Sequence, residues 1–252
     1  MRKTASNYLS PFYIEQQQFS QSGIDRAQTV TGTSIVCVSF LFMIFPMIDL
    51  TVSHWFAKDG VFILAEEPFL LAVRRIGRTG QVYIVGAMVL LIALYAFVPK
   101  RYGLCQPHKP LFVLLSFIAG PLLIVHSLKA LIGRVRPRDL IEFGGNADFT
   151  PVWQFSAACS RSCSFPSGEA SVAAATLSLL VLVPTKWRWI AALVLTPCLV
   201  LIALNRVLFG AHFLSDVMLG WLLTTFAMLL IWRWIEPRSE AIESFIPRAR
   251  LQ

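Results

Sequence analysis

Residues 205–235 read NRVLFGAHFLSDVMLGWLLTTFAMLLIWRWI. Three polar side chains, Arg206, His212 and Asp216, come first at fixed offsets. An apolar run then continues to Trp232 and is followed by the single charge of Arg233. A membrane-crossing helix needs roughly 20 predominantly apolar residues, and 214–235 has that length. The stretch therefore predicts a spanning helix with ionisable groups gathered at its first turn. Charges abutting a membrane span are costly and are usually retained for function.

Working outward, the rest of the chain repeats the pattern. Hydrophobic residues make up 56% of it and charged residues 14%, far from a typical soluble domain, in which about 25% of residues are charged. The apolar residues are blocked into runs around 33–55, 81–98, 111–128, 170–184, 189–205 and 214–235. The expectation is an all-α fold, a six-helix transmembrane bundle. Pro46 and Asp49 interrupt the first run, which neighbouring helices can accommodate. Residues 61–76 mix apolar positions with Glu66, Glu67, Arg74 and Arg75, and predict a short amphipathic helix at the interface or a plain capping helix. The polar residues 1–32 lack the apolar core of a signal peptide and read as a cytoplasmic tail. The expected division is that tail, a six-span domain over 33–236, and a second cytoplasmic tail over 237–252, with no internal repeat.

Basic residues accumulate in cytoplasmic loops. With the N-terminus inside, the inner segments hold 12 Lys and Arg and the outer ones 10. Lys129, Arg136 and Arg206 belong to the candidate site, which leaves 7 outside and puts that site on the outer face. The net charge of +8 comes without a basic stripe interleaved with aromatics, so nucleic acid is not an expected partner. Basic ends against anionic lipid account for it. Cys37, Cys105 and Cys198 read as free thiols. Cys159 and Cys163 fall in the long outer loop, where an oxidising compartment permits a disulfide. The histidines His54, His108, His126 and His212 are scattered without zinc-site spacing, so no metal is expected. Trp55, Trp153, Trp187, Trp189, Trp232 and Trp234 lie near span ends, as interfacial belts do.

Three elements carry chemistry. Lys129 and Arg136 are seven apart, so continued helix would put both on one face, a point charge and a planar fork suited to phosphate oxygens. Snorkelling cations at a membrane boundary look the same. Pro166-Ser167-Gly168-Glu169 opens the fourth span, and a Ser cap leaves backbone N–H groups pointing outward, as at anion-binding helix starts. A helix start with no ligand has the same sequence. His212 and Asp216 at i and i+4 would meet on a helix, the carboxylate fixing the tautomer and leaving one ring nitrogen as a nucleophile. A structural His–Asp pair is the plain alternative for that element alone. Together the three point to phosphate chemistry on an amphipathic, membrane-held substrate.

This combination resembles the type 2 phosphatidic acid phosphatase superfamily, whose signature reads Lys-x6-Arg-Pro, Pro-Ser-Gly-His and Ser-Arg-x5-His-x3-Asp. Lys129, Arg136, Pro137, Pro166, Ser167, Gly168, Arg206, His212 and Asp216 match it. The resemblance implies that His212 attacks phosphorus to give a phosphohistidine, with Asp216 orienting it. Lys129, Arg136, Arg206, Ser167 and the Gly168 amide would hold the phosphate oxygens, with no cofactor and no metal. Two positions depart. Asn205 replaces a serine, and Glu169 replaces the histidine that protonates the leaving group. Glu169 is expected to act as general acid, kept protonated by an adjacent phosphate dianion and burial. A good leaving group, or a site that binds without turnover, are the other readings of that residue.

The function implied is a lipid phosphatase of a bacterial-type inner membrane, working from the outer face on phosphatidate, undecaprenyl diphosphate or lipid A. The alternative class is a non-catalytic membrane protein that binds phospholipid headgroups or assists transport. Oligomeric state is not legible.

Overall fold

The computed structural model describes residues 11–98 and 105–246. Among them the chain is helical, with α1 (Pro11–Ile44), α2 (Met47–Phe56), α3 (Pro68–Phe97), α4 (His108–Phe117), α5 (Val125–Ile132), α6 (Gly168–Thr176), α7 (Thr185–Leu208), α8 (Leu214–Ile235) and α9 (Ser239–Phe245). Five helical stretches are long and apolar enough to cross a membrane, and Gly168–Leu182 is a shorter apolar one. Their outward faces carry large exposed apolar side chains, among them Phe40, Val82, Leu90, Leu123, Leu193 and Leu230. Water would not tolerate that band, and this is a multi-pass membrane protein.

Several boundaries differ from the sequence reading for identifiable reasons. The first membrane helix runs from Gln21 to Ile44 and stops at Pro46. Asp49 therefore lies on the separate helix α2, turned into the protein and buried. The short interfacial helix expected over 61–76 is not a separate element. A 3-10 turn covers Ile63–Glu66, and Pro68 at the first helical position starts α3, which continues unbroken to Phe97; its fixed φ suits it to that position. The third span is α4 and α5 joined by a π-helical segment, Ile118–Ile124, that contains Pro121. Pro removes a ladder donor and crowds the preceding turn, which commonly produces such a bulge. Cys37, Cys105 and Cys198 are free, and Cys159 is bridged to Cys163. Trp55, Trp187, Trp189 and Trp234 are exposed at helix ends. Trp153 instead points inward, donating Nε1–H to Ser39 Oγ at 2.9 Å and stacking edge-on against Phe165.

The short helix α6 is the hub of the bundle. Ala170, Ala173, Ala174 and Ala175 are almost completely buried, and small side chains let neighbouring backbones approach closely. A Cβ on Gly220 would lie 2.8 Å from the Ser167 carbonyl oxygen, and one on Gly120 would collide with Thr224. Ser171 and Thr224 hydroxyls bond across the α6–α8 contact at 2.5 Å. Asp25 pairs with Arg233 at 2.6 Å, and the Tyr95 hydroxyl donates to Glu243 at 2.6 Å. These contacts put the start of the first membrane helix, the end of α3 and the end of α8 at one end of the bundle. The candidate residues gather at the other.

Candidate active site

His212 lies in the turn between α7 and α8, so it does not share a helix with Asp216 as the i, i+4 spacing predicts. Its Nδ1 is 2.7 Å from the Ser164 carbonyl oxygen and 3.8 Å from Asp216 Oδ2. A carbonyl can only accept, so Nδ1 carries the proton and Nε2 keeps its lone pair. Burial, reinforced by the charges of Lys129 and Arg206, lowers the imidazole to about 4, against the opposing pull of Asp216. The ring is neutral at neutral pH, as a nucleophile requires.

Asp216 works one step behind. Its Oδ2 accepts from the Phe213 backbone N–H at 2.9 Å, capping α8, and from the Ser164 hydroxyl. Its Oδ1 accepts from Arg134 Nη1 at 2.6 Å. Ser164 thus joins the carboxylate to the imidazole, its hydroxyl on one and its carbonyl on the other. Arg134 is fully buried and bonded through all three nitrogens: Nε donates to the Thr150 carbonyl at 2.8 Å, Nη1 also to Ser215 Oγ at 2.9 Å, and Nη2 to Asp49 at 2.8 Å. Its guanidinium carbon lies 4.1 Å from the centre of the Phe213 ring. Asp49 in turn accepts from the Ser215 N–H at 2.9 Å. Sequence reading missed Arg134, Ser164 and Ser215 altogether. It treated Asp49 as a helix interruption, although a carboxylate inside an apolar run is itself a signal.

Lys129 and Arg136 come together without the continuous helix expected for them. Gly133 ends α5 at φ +63°, and a Cβ there would collide with the Ser156 carbonyl. The chain then extends, so the two cations converge on the loop closed by Cys159–Cys163. Lys129 Nζ donates to the Cys163 carbonyl and Arg136 Nε to the Ser162 carbonyl at 2.7 Å. Ser167 caps α6, its hydroxyl facing the Ala170 N–H at 3.4 Å, and is fully buried. Gly168 lines the cleft beside it.

Glu169 takes the central position. Its Oε2 lies 2.7 Å from Arg206 Nε and 3.9 Å from His212 Nε2, and its Oε1 lies 3.4 Å from Arg78 Nε. Arg206 is 3% exposed, and its Nη1 is buried with no hydrogen-bond partner among the described residues. An orphaned, buried guanidinium nitrogen is unsatisfied capacity for an anion. From here a cleft of about 1080 Å³ runs between α3 and the α4–α5 span, with Lys129, Arg136, Glu169 and His212 at its head. Val85, Val89, Phe117, Leu122 and Val172 line the rest. His126 also borders it, with Nδ1 held by the Pro121 carbonyl at 3.1 Å. Among the described residues no cluster of His, Cys, Asp and Glu is arranged to hold a metal ion.

The cleft thus combines cations around a neutral buried imidazole with an apolar wall. Residues 109–240 match the PAP2 superfamily, and the chain belongs to it. Over 118 residues it is 42% identical to a lipid A 4'-phosphatase of Rhizobium leguminosarum, covering 46% of this chain and 51% of the relative. A lipid A 4'-phosphatase of Francisella tularensis subsp. novicida is 27% identical over 200 residues, 76% of this chain and 88% of the relative. An undecaprenyl-diphosphatase of Sulfolobus acidocaldarius is 34% identical over 89 residues, 35% of this chain and 38% of the relative. The chain spans about half the length of the Rhizobium relatives it matches. A transmembrane PAP2-type phosphatidylglycerolphosphate phosphatase from Bacillus subtilis superposes with a TM-score of 0.55 at 22% identity, over 83% of this chain and 96% of that one. It has the same fold.

Proposed function

We propose that the protein is a membrane lipid phosphatase that hydrolyses a terminal phosphate through a phosphohistidine on His212. The observation that carries this is the Ser164 carbonyl on His212 Nδ1, which leaves Nε2 facing the head of the cleft. Lys129, Arg136 and Arg206 offset the negative charge that develops on the equatorial oxygens. In the first step Nε2 bonds to phosphorus as the bond to the leaving oxygen breaks, and Glu169 gives that oxygen its proton. The Ser164 carbonyl and the Asp216 carboxylate stabilise the cationic ring. In the second step Glu169 takes a proton from water, whose oxygen bonds to phosphorus and releases phosphate and neutral His212.

Glu169 rests on Arg206 in the free protein, so a phosphate arriving as the monoanion displaces it and hands it a proton, which leaves the acid beside the new dianion. Lipid A is the substrate best supported, since three relatives named lipid A 4'-phosphatase match the chain. Undecaprenyl diphosphate and phosphatidate remain comparison substrates. The excess of Lys and Arg in the sequence segments read as inner supports an inner-membrane protein with its site on the periplasmic side.

The test is phosphate release from the three lipids by detergent-purified protein with chelator present, beside a His212→Ala control. Release from one lipid, lost in the control, supports the enzyme and names its substrate. No release by folded protein returns the chain to a non-catalytic phospholipid binder.

A further inference from the structure

Cations at the head of the cleft outnumber those a single phosphate needs. Arg78 extends from α3 to Glu169 Oε1 at 3.4 Å and lines the cleft with Gln81. Arg74 lies one helical turn earlier, on the same face. It is within electrostatic range of Glu169, Arg136 and Arg206, and its Nε is buried with no hydrogen-bond partner among the described residues. Neither residue belongs to the three sequence elements that hold the transferred phosphate.

With Lys129, Arg136 and Arg206 they make five positive charges. Against these stand Glu169 and the net single negative charge of the buried Asp49, Arg134 and Asp216 set. A phosphate dianion still leaves the head of the cleft cationic, more so once Glu169 carries a proton. We infer that Arg74 and Arg78 form a second anion subsite, which holds another anionic group of the same substrate beside the phosphate that is removed. Arg78 and Gln81 on α3 line the cleft together with Arg136, Ser160 and Ser162. The second group therefore sits on the polar side, while Val82, Val85 and Val89 further along α3 meet the acyl chains. A second phosphate supplies the required chemistry, either in a diphosphate or on a bisphosphorylated glycolipid.

This inference rests on the lipid phosphatase reading, and its test is built to separate the two. KM is measured for phosphatidate, a polyprenyl diphosphate and a bisphosphorylated glycolipid, on wild type and on Arg74→Gln and Arg78→Gln proteins. A charged hydrogen bond is worth enough that the preference for a doubly anionic lipid over phosphatidate falls about tenfold, with kcat on that lipid moving much less. The lipid whose preference collapses identifies the source of the second phosphate. Equal shifts on all three lipids, or none, overturn the subsite. Binding of the same lipids to His212→Ala protein reads the subsite without turnover. If wild type releases no phosphate, the catalytic reading fails while the binding ratios still decide this one.

Discussion

Arg134 Nη1 stands 2.6 Å from Asp216 Oδ1, and both side chains are completely buried. A second carboxylate, Asp49, holds the other terminal nitrogen at 2.8 Å. One guanidinium thus ties α2 to the first turn of α8, and through Asp216 and Ser164 it fixes the face His212 presents. Removing the cation leaves two carboxylates buried without compensation, which costs about 3–5 kcal/mol. Arg134→Met is therefore expected to lower the thermal midpoint of the detergent-solubilised protein sharply. Arg134→Lys should rescue little of it, because an ammonium cannot reproduce a fork that reaches Thr150, Ser215, Asp216 and Asp49 together.

The acid limb of kcat/KM reports the free enzyme's essential groups. His212 is held down to about 4 by burial. Below that pH it takes up a proton and loses the lone pair proposed to attack phosphorus; above it the group is neutral and keeps that lone pair. After correction for the substrate's own second ionisation, measured by phosphorus NMR, activity should fall with a midpoint near pH 4. A midpoint near 6.5 would mean that the imidazole is solvated.

The Cys159–Cys163 bridge closes the loop whose carbonyls receive Lys129 and Arg136. Closing so short a loop contributes about 2 kcal/mol in the chain-entropy account. Replacing both cysteines with serine is expected to raise KM, because the two cations lose their seats, while kcat changes less. Kinetics of the double variant beside the dithiothreitol-treated wild type check this, and both should shift alike.

Glu169→Gln removes the charge that occupies Arg206. Inorganic phosphate should then inhibit at lower concentration than in wild type. Turnover should fall by roughly a hundredfold or more on substrates with poor leaving groups, the lower end of general-acid contributions, and by less on a diphosphate. Equal losses on every substrate would remove Glu169 from proton transfer.

Much of this was legible in the sequence because it depends on residue type and spacing. Five of the six apolar runs fall on helical stretches long enough to cross a membrane and the fourth on the shorter Gly168–Leu182, α8 covers 214–235 as read, and Lys129, Arg136, Glu169, Arg206, His212 and Asp216 gather at one end of the bundle. What was hidden depends on backbone. The partner of His212 Nδ1 is a main-chain carbonyl, for which Ser164 gives no sign. Gly133 redirects Arg136 because of a close approach by the carbonyl of Ser156, 23 residues further along the chain. Residues 21–32 are too polar to register as a span, yet their Asp25 and Gln28 find Arg233 across the bundle end. Arg134 was overlooked beside Arg136, although its burial makes it the more constrained of the two.

The central claim, that His212 Nε2 takes the phosphoryl group, is tested most directly by rapid acid-free quenching of wild-type protein mixed with phosphorus-labelled lipid substrate. The account predicts label on the protein that survives alkali, is lost in acid, maps to the peptide containing His212, and is absent from His212→Ala. Label on another side chain, or undiminished phosphate release by His212→Ala, would contradict it.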